Sequence, residues 1–120
     1  MVRDNNCLRL FSCQGIFISS LWEDSSKTKC FGLAEDDKGH LVSIKKSGLE
    51  TDLLLFNIEE KKIVKKMSLE DVIEDKGKSK CRFLTFQGGN FYITDLGLNQ
   101  VYVIDSKTYD VILVRIFFIK

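Results

Sequence analysis

Asp95 and Asn99 bracket Gly97 within the run Gly89 to Asp105, a carboxylate and an amide close enough in sequence to act together. Such a pair can serve general acid–base chemistry when both groups face a substrate. The spacing fits a turn better, with side-chain oxygens capping backbone amides and glycine supplying a positive φ. Asp95, Gly97 and Asn99 are therefore read as structural turn residues, as are Asp105, Gly39 and Gly89. Glu35, Asp36 and Asp37 form an acidic trio, but a calcium loop needs oxygen ligands on alternate positions and a closing glutamate. They read as turn formers too. His40 follows a turn glycine where the later stretch has Asn90, which marks a polar turn position and not a general base.

Cys7, Cys13, Cys30 and Cys81 contain no Cys-x-x-Cys pair, and no cysteine lies close in sequence to His40. A structural zinc site needs tighter ligand pairs. The thiols are expected to be free and buried, in a reducing compartment. No catalytic residue, metal ligand or cofactor site is expected, and the chain by itself is not read as an enzyme.

The chain has 120 residues, enough for one small domain, and 44% hydrophobic residues, enough for a folded core. Its 18 basic and 17 acidic residues leave a net charge of +1, so no long-range field draws it to nucleic acid or anionic membrane. Residues 1–6 are polar and Ile16–Leu21 is short for an apolar signal core. Arg115 interrupts the apolar tail Val111–Ile119, which is about half a membrane span. A soluble, cytoplasmic protein without membrane contact is the expectation.

The elements that must position these residues come in two copies about fifty residues apart, a spacing typical of repeat architectures. One copy opens at Cys30 and passes through the turn ending in Gly39; the other opens at Cys81 and passes through Gly89. Third strands follow at Leu53–Phe56 and Val101–Ile104, and fourth strands at Ile63–Met67 and Val111–Phe117. Four short strands with turn signals at this spacing predict a four-stranded antiparallel sheet in each copy. Leu53-Leu54-Leu55-Phe56 is apolar without alternation and Phe91-Tyr92-Ile93 nearly so, which predicts burial on both faces. Ile63–Met67 is more polar, as an outer strand should be. The fold class is therefore all-β, a partial β-propeller of four-stranded antiparallel blades. Residues 1–29 read as the rim strand of a preceding blade, Ile16–Leu21, with its connection. Residues 30–67 and 81–117 are the two blades. The insertion 68–80 is expected to hold one or two helical turns near 69–75, with Ser68 as N-cap and Leu69, Val72 and Ile73 on one face.

The run from Gly89 to Asp105 resembles NHL repeats: a glycine, a strand ending in Asp95, then Gly97 and Asn99, and a strand ending in Asp105. The copy from Cys30 to Asn57 is degenerate, with Lys45 in place of the strand-ending aspartate and the turn shifted to Ser47-Gly48. The likeness is to the C-terminal NHL domain of tripartite-motif (TRIM-NHL) E3 ubiquitin ligases. It implies a module that binds a ubiquitination substrate or RNA, with ligase activity confined to a RING domain absent from this chain. Metal-dependent lactonases share the general architecture, but the inner strands Phe31–Ala34 and Phe83–Phe86 offer no histidine or acid as ligand.

Recognition of a protein partner is thus the expected function, and RNA binding through the same loops the alternative. Lys45, Lys46, Lys76, Lys78, Lys80 and Arg82 fall at the end of the blades where propellers often bind partners, and Lys76–Arg82 is the densest basic stretch. Trp22, read as lying outside any strand, is a candidate partner anchor. Two blades cannot close a ring, so the chain is expected to be a fragment of a longer protein or to self-associate.

Overall fold

A computed structural model describes the backbone of residues 2–3, 7–11, 17–23 and 28–116, and the side chains of 29–112 and 114. Among the described residues every regular element is a strand, in three sheets. The first, in the order β1-β2-β3, comprises β1 (Val2–Arg3), β2 (Cys7–Phe11) and β3 (Phe17–Glu23). The second is a four-stranded meander of β4 (Thr28–Glu35), β5 (Leu41–Ser47), β6 (Glu50–Asn57) and β7 (Lys62–Ser68). The third repeats it with β8 (Cys81–Gln87), β9 (Asn90–Asp95), β10 (Gln100–Asp105) and β11 (Val111–Ile116). All pairings are antiparallel. No helix among the described residues is long and apolar enough to cross a membrane.

The two meanders stack through one core of Val42, Ile44, Leu53, Leu55, Leu84, Phe91, Ile93, Tyr102 and Ile104. Strand geometry explains how β6 serves two interfaces. Alternate side chains point to opposite faces, so Leu53 and Leu55 enter this core while Leu54 and Phe56 join Leu41 on the other face. Both faces of β6 are buried, whereas the edge strand β7 is exposed along nearly its whole length.

The sheets come closest where β4 meets β8. Gly32 permits this: its φ is 70°, and a Cβ there would stand 2.9 Å from the Cβ of Leu84. The register of β4 on β5 shifts between Phe31 and Ala34, and the buried Ser43 hydroxyl donates 2.7 Å to the Gly32 carbonyl that the shift frees. A polar group buried in the sheet is thus matched to the bulge it faces.

Four expectations are corrected. The insertion 68–80 forms turns and no helix. The Leu69 carbonyl accepts from the amides of both Val72 and Ile73 at 3.1 Å, and the chain then turns again at Asp75, whose carbonyl accepts from Lys78 and Ser79. A single helical turn offers too few bonds to offset its ordering cost. Here Leu69 and Ile73 are instead pinned by burial in the inter-sheet core, and the Leu69 amide bonds the Thr51 carbonyl at 2.9 Å. Ser68 does accept an amide, that of Glu70 at 3.1 Å. Second, β9 alternates: Phe91, Ile93 and Asp95 are buried, Tyr92 and Thr94 only half so, because no described sheet covers their side. Third, Trp22 lies within β3, opposite Leu8 of β2. Fourth, residues 1–29 hold β1 and β2 as well as the expected strand, with β1 running beside β4 and β3 beside β7.

Candidate functional site

At one end of the meanders the registers place Lys29 directly across from Lys46 and Phe31 across from Ile44. Val42, Ile44 and Lys46 share one face of β5, so both lysines rise from the side that packs on β8. Arg82 completes the group from β8, its guanidinium carbon 4.0 Å above the Phe31 ring centroid. Together Lys29, Phe31, Lys46, Gly48 and Arg82 line a cleft of about 240 Å³. Gly48, with φ of 60°, turns β5 into β6 at its rim.

Among the described residues, three cations and an aromatic ring line this cleft and no carboxylate does. Lys46 is steered by its ammonium donating 2.7 Å to the Ser79 carbonyl, and Arg82 by Nη1 donating 3.3 Å to the Cys81 carbonyl. Both bonds go to backbone oxygens, which orient the cations without neutralising them. Like charges facing each other across a strand pair destabilise a sheet. An anion seated between Lys29, Lys46 and Arg82 relieves that repulsion, and a planar carboxylate or a phosphoryl group suits the guanidinium fork. A second cleft, lined by Lys38, Gly39, His40, Asn57, Ile58 and Glu59, mixes both signs of charge.

Of the residues expected to bind a partner, the fold brings Lys46 and Arg82 together and separates the rest. Lys45 projects to the opposite face of β5, between Cys30 and Asp52. The Lys76 ammonium donates 3.3 Å to the Ile73 carbonyl, while Lys78 and Lys80 are exposed on the strap before β8 and do not line the cleft. The Trp22 side chain lies outside the described residues. Lys29 and Phe31 were not among the expected site residues. The signal that could have found Lys29 is the hairpin register, which sets it opposite Lys46 once β4 is extended back to Thr28.

The polar turn residues form a different device. Asp95 is fully buried, and its carboxylate accepts from the Ser79 hydroxyl at 2.5 Å, the Tyr102 hydroxyl at 2.7 Å and the Lys80 amide at 2.8 Å. The amides of Gly97 and Leu98 add bonds of 3.1 Å each. Burial alone would raise its pKa, but the bonds from Ser79, Lys80, Tyr102 and Leu98 outweigh it and hold the carboxyl below its ordinary value. Positive φ in this turn belongs to Asn99, at 53°, and not to Gly97. Gly97 is needed for space, because a Cβ there would run into the Lys78 carbonyl. Gly39 and Gly89 have φ of 79° and 82°. Asp105 accepts from the amides of Lys107 at 2.7 Å and Thr108 at 3.1 Å, which lowers its pKa. Asp36 caps its own turn through the amides of Lys38 and His40 and meets His40 Nδ1 at 3.0 Å.

Burial pushes the Cys81 thiol up to about 12, so it stays protonated at neutral pH. Cys30 is buried as well. Among the described residues no three histidine, cysteine or acidic side chains are arranged to hold a metal ion.

No family model matches the chain, and no curated protein does. Among solved structures it is similar to a protein of unknown function from Bacteroides caccae, with a TM-score of 0.70 at 11% identity. The match covers 95% of this chain and 40% of that one, so the chain spans two-fifths of the other protein's length. At this identity the likeness is one of fold.

Proposed function

We propose that this chain is a non-catalytic binding module, built as part of a β-propeller, that takes an acidic segment of a protein partner into the Lys29–Lys46–Arg82 cleft. The observation that carries the reading is the lining itself: among the described residues, three cations converge on an aromatic wall with no acidic side chain. The propeller component is supported by the repeat of one four-stranded meander and by the closest approach of the two at their first strands, β4 and β8. In the NHL-like reading the partner is a substrate presented to a ligase. The cleft's volume of about 240 Å³ is on the scale of one or two acidic side-chain groups.

The test is a titration with a fluorescein-labelled peptide carrying consecutive glutamates and one phosphoserine. A Lys46→Glu, Arg82→Glu chain is expected to bind at least tenfold more weakly, about 1.4 kcal/mol or more. Lys38→Glu, in the mixed-charge cleft, should leave affinity unchanged. Equal binding by the two chains rejects the site. Tighter capture of a single-stranded oligouridine, falling steeply with salt, would put RNA in place of the peptide.

A further inference from the structure

Strand register sorts the charges of the β5–β6 hairpin onto two faces, one balanced and one not. Lys45 stands between Cys30 on β4 and Asp52 on β6. Lys66 on β7 adds a cation 3.7 Å from the Asp52 carboxylate, and the Glu50 charge acts on Asp52 as well. Lys46, one residue on, stands instead between Lys29 on β4 and Thr51 on β6. Alternation puts both acids of this hairpin, Glu50 and Asp52, on the Lys45 face. The cleft face is left with like charges directly opposed, an arrangement that costs a sheet stability.

The facing sheet adds to that excess. Arg82 of β8 brings its guanidinium to the same cleft, held by the Phe31 ring at 4.0 Å and the Cys81 carbonyl at 3.3 Å. The Ser79 carbonyl holds the Lys46 ammonium at 2.7 Å. Each of these bonds uses one N–H and leaves the cation's others to meet a ligand. Among the described residues the lining thus carries three cations, of which a single carboxylate offsets one. A phosphoryl monoester carries about −1.5 to −2 at neutral pH and presents three acceptor oxygens, so it offsets most of the excess and can meet a donor from each of β4, β5 and β8. The phosphodiester of a nucleic acid carries one charge and gains no such advantage over a carboxylate.

We propose that the cleft reads a phosphorylated serine or threonine of the protein partner, so that engagement depends on the partner's phosphorylation state. The inference rests on the acidic-segment reading of the same cleft and narrows its ligand from any acidic group to a phosphoryl dianion. The volume of about 240 Å³ suits one phosphorylated side chain. Lys78 and Lys80 are exposed on either side of Ser79, whose carbonyl holds Lys46. Cationic residues therefore continue past the cleft along the strap, which favours a phosphate carried in an acidic peptide over free phosphate. Phe31 serves by fixing the Arg82 guanidinium, which stacks on its ring.

Three fluorescein-labelled peptides that share one acidic sequence and carry phosphoserine, glutamate or serine at its centre, each titrated with the full chain, test the proposal. At neutral pH the phosphoserine peptide should bind at least about tenfold more tightly than either of the others. The second phosphate ionisation lies near pH 6, so moving from about pH 7.5 to about pH 5.5 should cut that advantage about threefold. The glutamate peptide, run alongside, reports any change in the protein itself. Lys29→Gln, at an exposed position, should narrow the gap between the phosphoserine and glutamate peptides. Equal affinity for those two peptides, or a phosphoserine preference that does not fall with pH, overturns this inference and leaves the acidic-segment reading standing. Failure of all three peptides to bind overturns both. Displacement by inorganic phosphate at the peptide's own concentration would make free phosphate the ligand, and tighter binding of an oligouridine would put RNA there; either result rejects the phosphopeptide.

Discussion

An Asp95→Ala chain is expected to lose about 3–4 kcal/mol of unfolding free energy, more than a lost turn cap alone removes. Six donors converge on this carboxylate, and four of them come from parts of the chain that only folding brings together: Ser79 and Lys80 from the strap, the Cys81 thiol from β8 and Tyr102 from β10. Alanine leaves the buried Ser79 hydroxyl with only the weak Cys81 sulfur at 3.7 Å, while Tyr102 keeps a stronger second acceptor, Gln100 Oε1, at 3.1 Å. Asp95→Asn keeps one acceptor oxygen but loses the charge, and should fall between the parent and alanine.

The charge has a pH signature. The folded pKa of Asp95 lies below the ordinary value of 3.8, so the unfolded chain binds the proton more readily than the folded one. The stabilisation is therefore complete above pH 3.8 and is lost as pH falls through the folded value. Asp105 is lowered as well and acts in the same direction. Asp52 works oppositely, raised mainly by burial with Lys66 3.7 Å away opposing it, so its protonation in mild acid favours the folded state. Urea midpoints followed by circular dichroism should show parent and Asp95→Asn well apart at pH 7 and converging in acid. A gap that stays constant across that range would mean the ionised carboxylate contributes nothing.

Gly97→Ala is the second large effect, at about 3 kcal/mol, the upper end of what overpacking costs. The atoms a methyl group would meet are backbone: the Lys78 carbonyl, with its carbon at 2.9 Å, and the Lys80 nitrogen at 3.0 Å. No rotamer change relieves that overlap, so the strap must lift. Lifting it stretches the bonds from Ser79 and Lys80 to Asp95 and the bond from the Leu96 amide to the Lys80 carbonyl, now 2.9 Å. Gly77 gives the contrast. A Cβ there meets only Asp75 Oδ1 at 3.7 Å, and its φ is not positive, so Gly77→Ala should be neutral or stabilise by up to about 1 kcal/mol. Similar urea midpoints for the two variants would show that the strap yields freely, and the close-approach account would fail.

These two residues show where sequence reasoning reaches and where it stops. That Asp95 caps a turn is legible in Asp-x-Gly-x-Asn, because an Asx turn is made within a few residues. That Ser79 and Tyr102 bond the same carboxylate is not, since it requires the strap and β10 to meet over Asp95. For Gly97 the sequence implies conformational freedom, the usual reason for glycine in a turn. Its actual constraint is a neighbour 19 positions earlier, Lys78. The basic cleft divides in the same way. Lys46 and Arg82 stood out as basic residues at one end of the repeat, yet only sheet stacking decides that they converge while Lys45, one residue away, faces the other side of the sheet.

The local plan can be read in the chain alone: two copies from Cys30 and Cys81, turns at Gly39 and Gly89, four antiparallel strands in each, and burial of both faces of Leu53–Phe56. Strand alternation and turn chemistry act over neighbouring residues, so they can be read in one dimension. Longer-range contacts set the rest: the insertion folds as turns, Lys29, Lys46 and Arg82 share a cleft, and Gly97 lies against the strap. Each depends on how the sheets stack, and the Lys46–Ser79 bond, spanning 33 residues, exists only once they have stacked.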